Sequence, residues 1–142
     1  MTGIYVDSSA ILRLVFDQPG ARAPLSQATV AVTSELAEVE IARALDRARL
    51  AGLIDDATLA ERASDAHRLL RKLSLFPVAS EVIQRARASV PMQVSALDTL
   101  HIATAELLTA EVGPLEFWTH FPAQAAAAQL RGLTVRGIGS KA

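Results

Sequence analysis

Residues 3–12 read GIYVDSSAIL, and the fold class follows from how this stretch is parsed. Ile4, Tyr5 and Val6 favour a buried strand, and Asp7 with Ser8 and Ser9 ends it and can start a helix at once. A strand that passes directly into a helix is how an α/β fold begins. The aspartate at the junction has two readings: it caps the helix beginning at Ser8, or it stands at the carboxyl end of a strand as a ligand.

Working outward, short β-like runs recur at TVAVT (29–33), LSLFPV (73–78), LEFWT (115–119) and LTVRGI (133–138). The intervening segments are helical in period or composition, at about 8–16, 34–51, 55–72, 79–90, 96–111 and 121–131. Strands alternating with helices imply a mostly parallel sheet covered on both faces. Between the second and third helices, AGLIDD (51–56) supplies a glycine stop and an aspartate start, as in an αα-hairpin. Residues 139–142 are expected to fray.

The 142 residues are 51% hydrophobic, enough for one proper core and too few for two ordinary domains, so a single domain over 1–142 is expected. A formal charge of −1 neither advertises nor excludes nucleic-acid binding. No cysteine is present, which removes disulfides and thiolate metal sites. His67, His101 and His120 are too far apart in sequence for a zinc motif. No leader pattern fits before the first strand and no apolar run is long enough to span a bilayer, so a soluble, cytoplasmic protein without membrane contact is expected.

Two further acidic positions matter. In TSELAEVEIARAL (33–45), Glu35 and Glu38 sit near a helix start, where the macrodipole accounts for them. Glu40 instead borders the apolar stripe of Ala37, Ile41, Ala44, Leu45 and Ala48, so it needs a partner: Arg43, three residues on, or a cation. In VSALDTLHIATAELL (94–108), Ser95 and Asp98 have capping-box spacing, which explains Asp98 as a helix-start residue. Asp98 also falls at a helix N-terminus at the same sheet edge as Asp7. Leu97, Leu100, Ala103 and Leu107 are expected to bury this helix, with His101 as a hydrogen-bonded core residue. Three carboxylates near one sheet edge repel one another unless a cation joins them, and Mg²⁺ or Mn²⁺ suits hard oxygen donors and a phosphodiester substrate.

Taken in order, YVDSSAIL (5–12), VEIARAL (39–45), LDTLHIATA (97–105) and FWTHF (117–121) before an alanine-rich helix resemble the PIN-domain ribonucleases, in particular the VapC toxins of bacterial toxin–antitoxin pairs. The resemblance implies a PIN-like three-layer α/β/α sandwich with a central sheet of four to five strands. It makes Asp7, Glu40 and Asp98 the metal-binding and catalytic residues of a Mg²⁺-dependent endoribonuclease. It also implies that Ser9 orients Asp7 and that Thr119 lines the pocket. A homodimer and a cognate VapB-type antitoxin are implied as partners.

One position departs from the pattern: Phe121 stands where many relatives carry a fourth aspartate. That weakens or removes a second metal site, unless Glu116 on the preceding strand compensates through a bulge. Arg43 and Arg47, on one line beyond Glu40, are candidate RNA-phosphate contacts, or else a solvated face paired with Asp46 and Glu40. Arg13 is a weaker candidate. The HRLLRKL run (67–73) reads as an amphipathic surface or subunit contact. Two alternatives stay open: a PIN-like binding module without activity, and a Mg²⁺-dependent phosphatase, for which Ser9 breaks the required D-x-D.

Overall fold

The computed structural model describes residues 2–138, so the end expected to fray lies outside the described residues. In chain order the elements are β1 (Gly3–Val6), α1 (Ser8–Val15), β2 (Ala31–Ser34), α2 (Leu36–Leu50), α3 (Asp56–Leu70), β3 (Ser74–Phe76), α4 (Ser80–Ala86), α5 (Ala96–Val112), β4 (Leu115–Trp118), α6 (Pro122–Leu130) and β5 (Thr134–Arg136). The five strands form one sheet in the order β3-β2-β1-β4-β5, and every neighbouring pair is parallel. The expected α/β/α sandwich is what the chain adopts, with the sheet wholly parallel.

Alternation along β1 divides the core. Ile4 and Val6 face α1, α2 and α3, where they meet Ile11, Val15, Ile41, Leu45, Leu73 and Trp118. Tyr5 points the other way, into a cluster with Ile102, Leu108, Phe117 and the small Ala127 and Ala128 of α6. Because both faces are covered, β1 reads as continuously apolar.

Most element ends lie within two residues of expectation, and the largest difference is at the end of α4. β2 begins at Ala31 instead of Thr29. α4 stops at Ala86, short of residue 90, and the chain runs irregularly up to Ser95; Pro91 disfavours helix at Val90 and removes a backbone donor. Along α5 the buried set is His101, Ile102, Ala103, Thr104, Ala105 and Leu108, whereas Leu97 is 44% exposed. The HRLLRKL run ends α3 by packing Leu69 and Leu70 on the core while Arg68 pairs with Asp65.

The order places the switch in strand direction of travel at β1, between β2 and β4. Side chains at the carboxyl ends of β1 and β4 therefore converge there, as ligand-binding groups do in open parallel sheets. At this end Gly137 (φ +103°) follows β5, and a Cβ on it would lie 2.5 Å from the Thr119 carbonyl oxygen. Thr119 is tied to the same strand by its amide, which donates to the Arg136 carbonyl at 3.1 Å. Gly137→Ala should therefore lower stability by about 2 kcal/mol through backbone strain and displacement of Thr119. Thermal denaturation checks this, and an unchanged Tm would show that the Thr119 carbonyl is free to move.

Candidate active site

Asp7 does the first of the two jobs open to it. It is the N-cap of α1, with Oδ1 accepting from the Ala10 amide at 2.9 Å, and its carboxylate is 1% exposed. Ser9 Oγ also donates to Oδ1, at 2.7 Å, and Thr119 Oγ1 lies 3.0 Å from Oδ2. The expected roles of Ser9 and Thr119 beside Asp7 thus have a geometric basis. Among the described residues no arginine, lysine or histidine forms an ion pair with this carboxylate. Burial pushes its pKa above the ordinary carboxylate range, and His101 and the three hydrogen bonds offset only part of that rise.

Glu40 has neither the Arg43 partner expected of it nor open solvent. Its Oε1 lies 2.6 Å from Nε2 of the buried His101, whose Nδ1 is 2.6 Å from the Tyr5 hydroxyl. Arg43 pairs with Asp46 instead, both on the exposed side of α2. Burial first, and then the Asp7 charge, push the Tyr5 hydroxyl well above its ordinary pKa, so it stays protonated and donates to Nδ1. The other ring nitrogen, Nε2, is the one that faces Glu40. This Tyr5–His101–Glu40 chain was not read from the sequence. The available signal was spacing: Tyr5 is two residues before Asp7, and His101 is one turn after Asp98.

Asp98 sits in the first turn of α5, half-buried, with its amide donating to the Ser95 cap at 3.1 Å. Its carbonyl is 3.4 Å from Gln124 Nε2, and Gln124 Oε1 is 2.7 Å from Thr119 Oγ1. The fully buried Gln124, also missed by sequence reasoning, therefore joins the start of α5 to the Asp7 cradle. Phe121 caps α6 and is 48% exposed. Glu116 does not compensate for it: its carboxylate is 3.0 Å from Arg136 on β5, near the opposite end of β4 from Thr119. Arg43 and Arg47 are exposed along α2, while Arg13 is turned to the Pro19 carbonyl.

Among the described residues, no three histidine, aspartate or glutamate side chains enclose a common point. Such a cage is what zinc or calcium demands, whereas Mg²⁺ keeps several waters and takes one or two carboxylates plus substrate oxygens. Asp7, Glu40 and Asp98 are not gathered into such a cage, and a buried carboxylate with no cationic partner among the described residues fits the second pattern. A larger cleft, about 580 Å³, lies elsewhere, between α2 and α3, and is lined by Ile41, Leu45, Leu59, Leu70 and Leu73.

The sequence from residue 4 to 112 matches the model of the PIN domain family. The chain belongs to the PIN-domain family. It is 34% identical over 118 residues to Ribonuclease VapC46 of Mycobacterium tuberculosis, a match spanning 81% of this chain and 83% of the relative. Among solved structures, its PIN fold resembles VapBC2 from Rickettsia felis bound to a promoter DNA fragment, with a TM-score of 0.64 at 10% identity over 94% of this chain and 97% of the other. A toxin–antitoxin complex from Klebsiella pneumoniae gives a TM-score of 0.60 at 14% identity, covering 87% and 91% of the two chains.

Two outcomes follow from the geometry. Asn at position 7 keeps the Oδ1 acceptor for Ser9 and Ala10, lets its amide donate to Thr119 Oγ1, and removes the buried charge. Asp7→Asn should then raise Tm by a few degrees at neutral pH in EDTA, for ~1 kcal/mol. The raised pKa has the matching sign: its stabilising effect is full below the carboxyl's unfolded pKa and is lost as pH rises through the folded one, so the Tm gain should shrink in acid. Removing His101 leaves the Tyr5 hydroxyl and Glu40 without partners, and His101→Ala should cost roughly 2–4 kcal/mol in denaturant unfolding. A loss no larger than that of an exposed alanine substitution would show that the chain of hydrogen bonds is not structural.

Proposed function

We propose that this chain is a divalent-cation-dependent endoribonuclease of the VapC toxin type, one PIN domain over 1–142, growth-inhibitory and neutralised by a VapB-type antitoxin. The observation that carries the reading is the Asp7 carboxylate: buried, hydrogen-bonded, without an ion-pair partner among the described residues, and set at the topological switch. The ribonuclease relative at 34% identity supplies the reaction class.

Asp7, Glu40 and Asp98 would hold Mg²⁺, or Mn²⁺ in its place. When bound, such a cation would supply neutralisation of phosphate charge and a more acidic water for phosphodiester hydrolysis. The protein's own work is orientation. Ser9, the Ala10 amide and Thr119 fix the Asp7 carboxylate, so little reorganisation is left for the moment of reaction. His101 holds one oxygen of Glu40 and leaves the carboxylate its other oxygen. Asp98, half-buried in the first turn of α5, would add the third carboxylate. Arg43 and Arg47, exposed on α2 beyond Glu40, would contact flanking phosphates.

The partners rest on apolar surface. The cleft between α2 and α3 has Glu38 and Arg71 among its apolar walls, which suits an amphipathic segment of an antitoxin. Ile83 and Val112, exposed on α4 and α5, suit a homodimer.

Total RNA incubated with the purified chain and Mg²⁺ should be cut, and EDTA should stop the cutting. Asp98→Asn should lower cleavage at least a hundredfold with Tm unchanged to within about a degree, because this carboxylate carries no structural bond. Cleavage that persists in EDTA or in this variant would sink the metal-nuclease reading; RNA binding without cleavage in any sample would favour a binding module.

A further inference from the structure

Of the six aromatic side chains, Tyr5, Phe16, Phe76, Phe117 and Trp118 are buried or half-buried, while Phe121 is 48% exposed. Its backbone is nevertheless fixed. The Phe121 amide donates to Thr119 Oγ1 at 3.1 Å, and its carbonyl accepts from the Ala125 amide at 2.9 Å. Thr119 Oγ1 is the same atom that lies 3.0 Å from Asp7 Oδ2. The backbone that carries this exposed ring is thus anchored to the hydroxyl that touches the buried carboxylate.

The ring is not isolated in character. Leu97, 44% exposed, directly precedes Asp98, and Val39, 61% exposed, directly precedes Glu40. Exposed apolar side chains thus adjoin Glu40 and Asp98 in sequence. A hydrated ion alone gains nothing from them. A ligand that joins an anionic group to a flat apolar one does, and in RNA every phosphodiester lies between two bases.

We propose that Phe121 is a stacking platform for an unpaired nucleobase next to the phosphodiester held at Asp7, Glu40 and Asp98. This rests on the ribonuclease reading above. Base–aromatic stacking tolerates any base, because each has a π-face, so the ring adds affinity without strict sequence choice. It also selects single strands, since bases in a duplex are already stacked on one another. An unpaired loop or end is the substrate that satisfies both the ring and the carboxylates.

The test uses a short single-stranded oligoribonucleotide spanning a mapped cleavage site, with 2-aminopurine placed at successive positions. Bound to the non-cleaving Asp98→Asn chain in Mg²⁺, the probe should be quenched at a position beside the scissile bond. Adding Phe121→Ala should abolish that quench and raise Kd about tenfold, and Phe121→Trp should restore both. In the otherwise unaltered chain, Phe121→Ala should raise KM about tenfold and change kcat less than twofold, and a duplex of the same sequence should be a poor substrate. If the wild-type chain cleaves RNA and Phe121→Ala binds it as tightly with the quench intact, the stacking role is wrong and the ring is left for a protein partner. If the wild-type chain neither cleaves nor binds RNA, the ribonuclease reading fails and the stacking role falls with it.

Discussion

A chain of two 2.6 Å hydrogen bonds, Tyr5 to His101 to Glu40, joins the central strand to helices on both sides of the sheet. Tyr5 is fully buried and stacked on Phe117, with ring centroids 5.2 Å apart, so its hydroxyl has one fixed position from which to reach α5. His101 on α5 then holds Glu40 on α2. Any displacement of one helix layer relative to the other must break a buried hydrogen bond, which is why the carboxylates keep their relative placement. The stability of the fold and the geometry of the candidate site are in this sense one arrangement.

Asp7 works in the opposite direction. Its carboxylate is buried with three hydrogen-bond donors and, among the described residues, no cationic partner, and burial raises its pKa. Thr119 has a single hydroxyl proton to divide between Asp7 Oδ2 and Gln124 Oε1, so the ionised site is one donor short. The unfavourable charge is what a cation, and then a phosphate, would relieve, in line with strain and desolvation being concentrated at functional sites.

Much of this was legible along the chain because the relevant signals are local. Val6 to Asp7 to Ser8 is a strand end, a cap and a helix start within three residues, and the Ser95–Asp98 cap is visible from spacing alone. Glu40 was identifiable as a residue needing a partner because its neighbours Ala37, Ile41 and Leu45 are buried. Its partner was not identifiable. Arg43 was the nearest sequence neighbour, and the winner was His101, 61 positions away. Gln124 was invisible for the same reason: inside an alanine-rich helix it looks like a surface residue, and only the docking of α6 against α5 buries it completely.

The sequence by itself determined the alternation of strands and helices, the caps at Asp7 and Ser95, the position of Glu40 on the border of an apolar stripe, and the stripes themselves. These depend on interactions within a few residues, where propensity, capping and periodicity act. The tertiary structure decided that β1 lies between β2 and β4, that Glu116 pairs with Arg136 away from the acidic end, and that Phe121 keeps its ring in solvent beside Thr119. Strand order and long-range hydrogen bonds depend on which surfaces meet after the chain has closed its loops, and no local pattern carries that information.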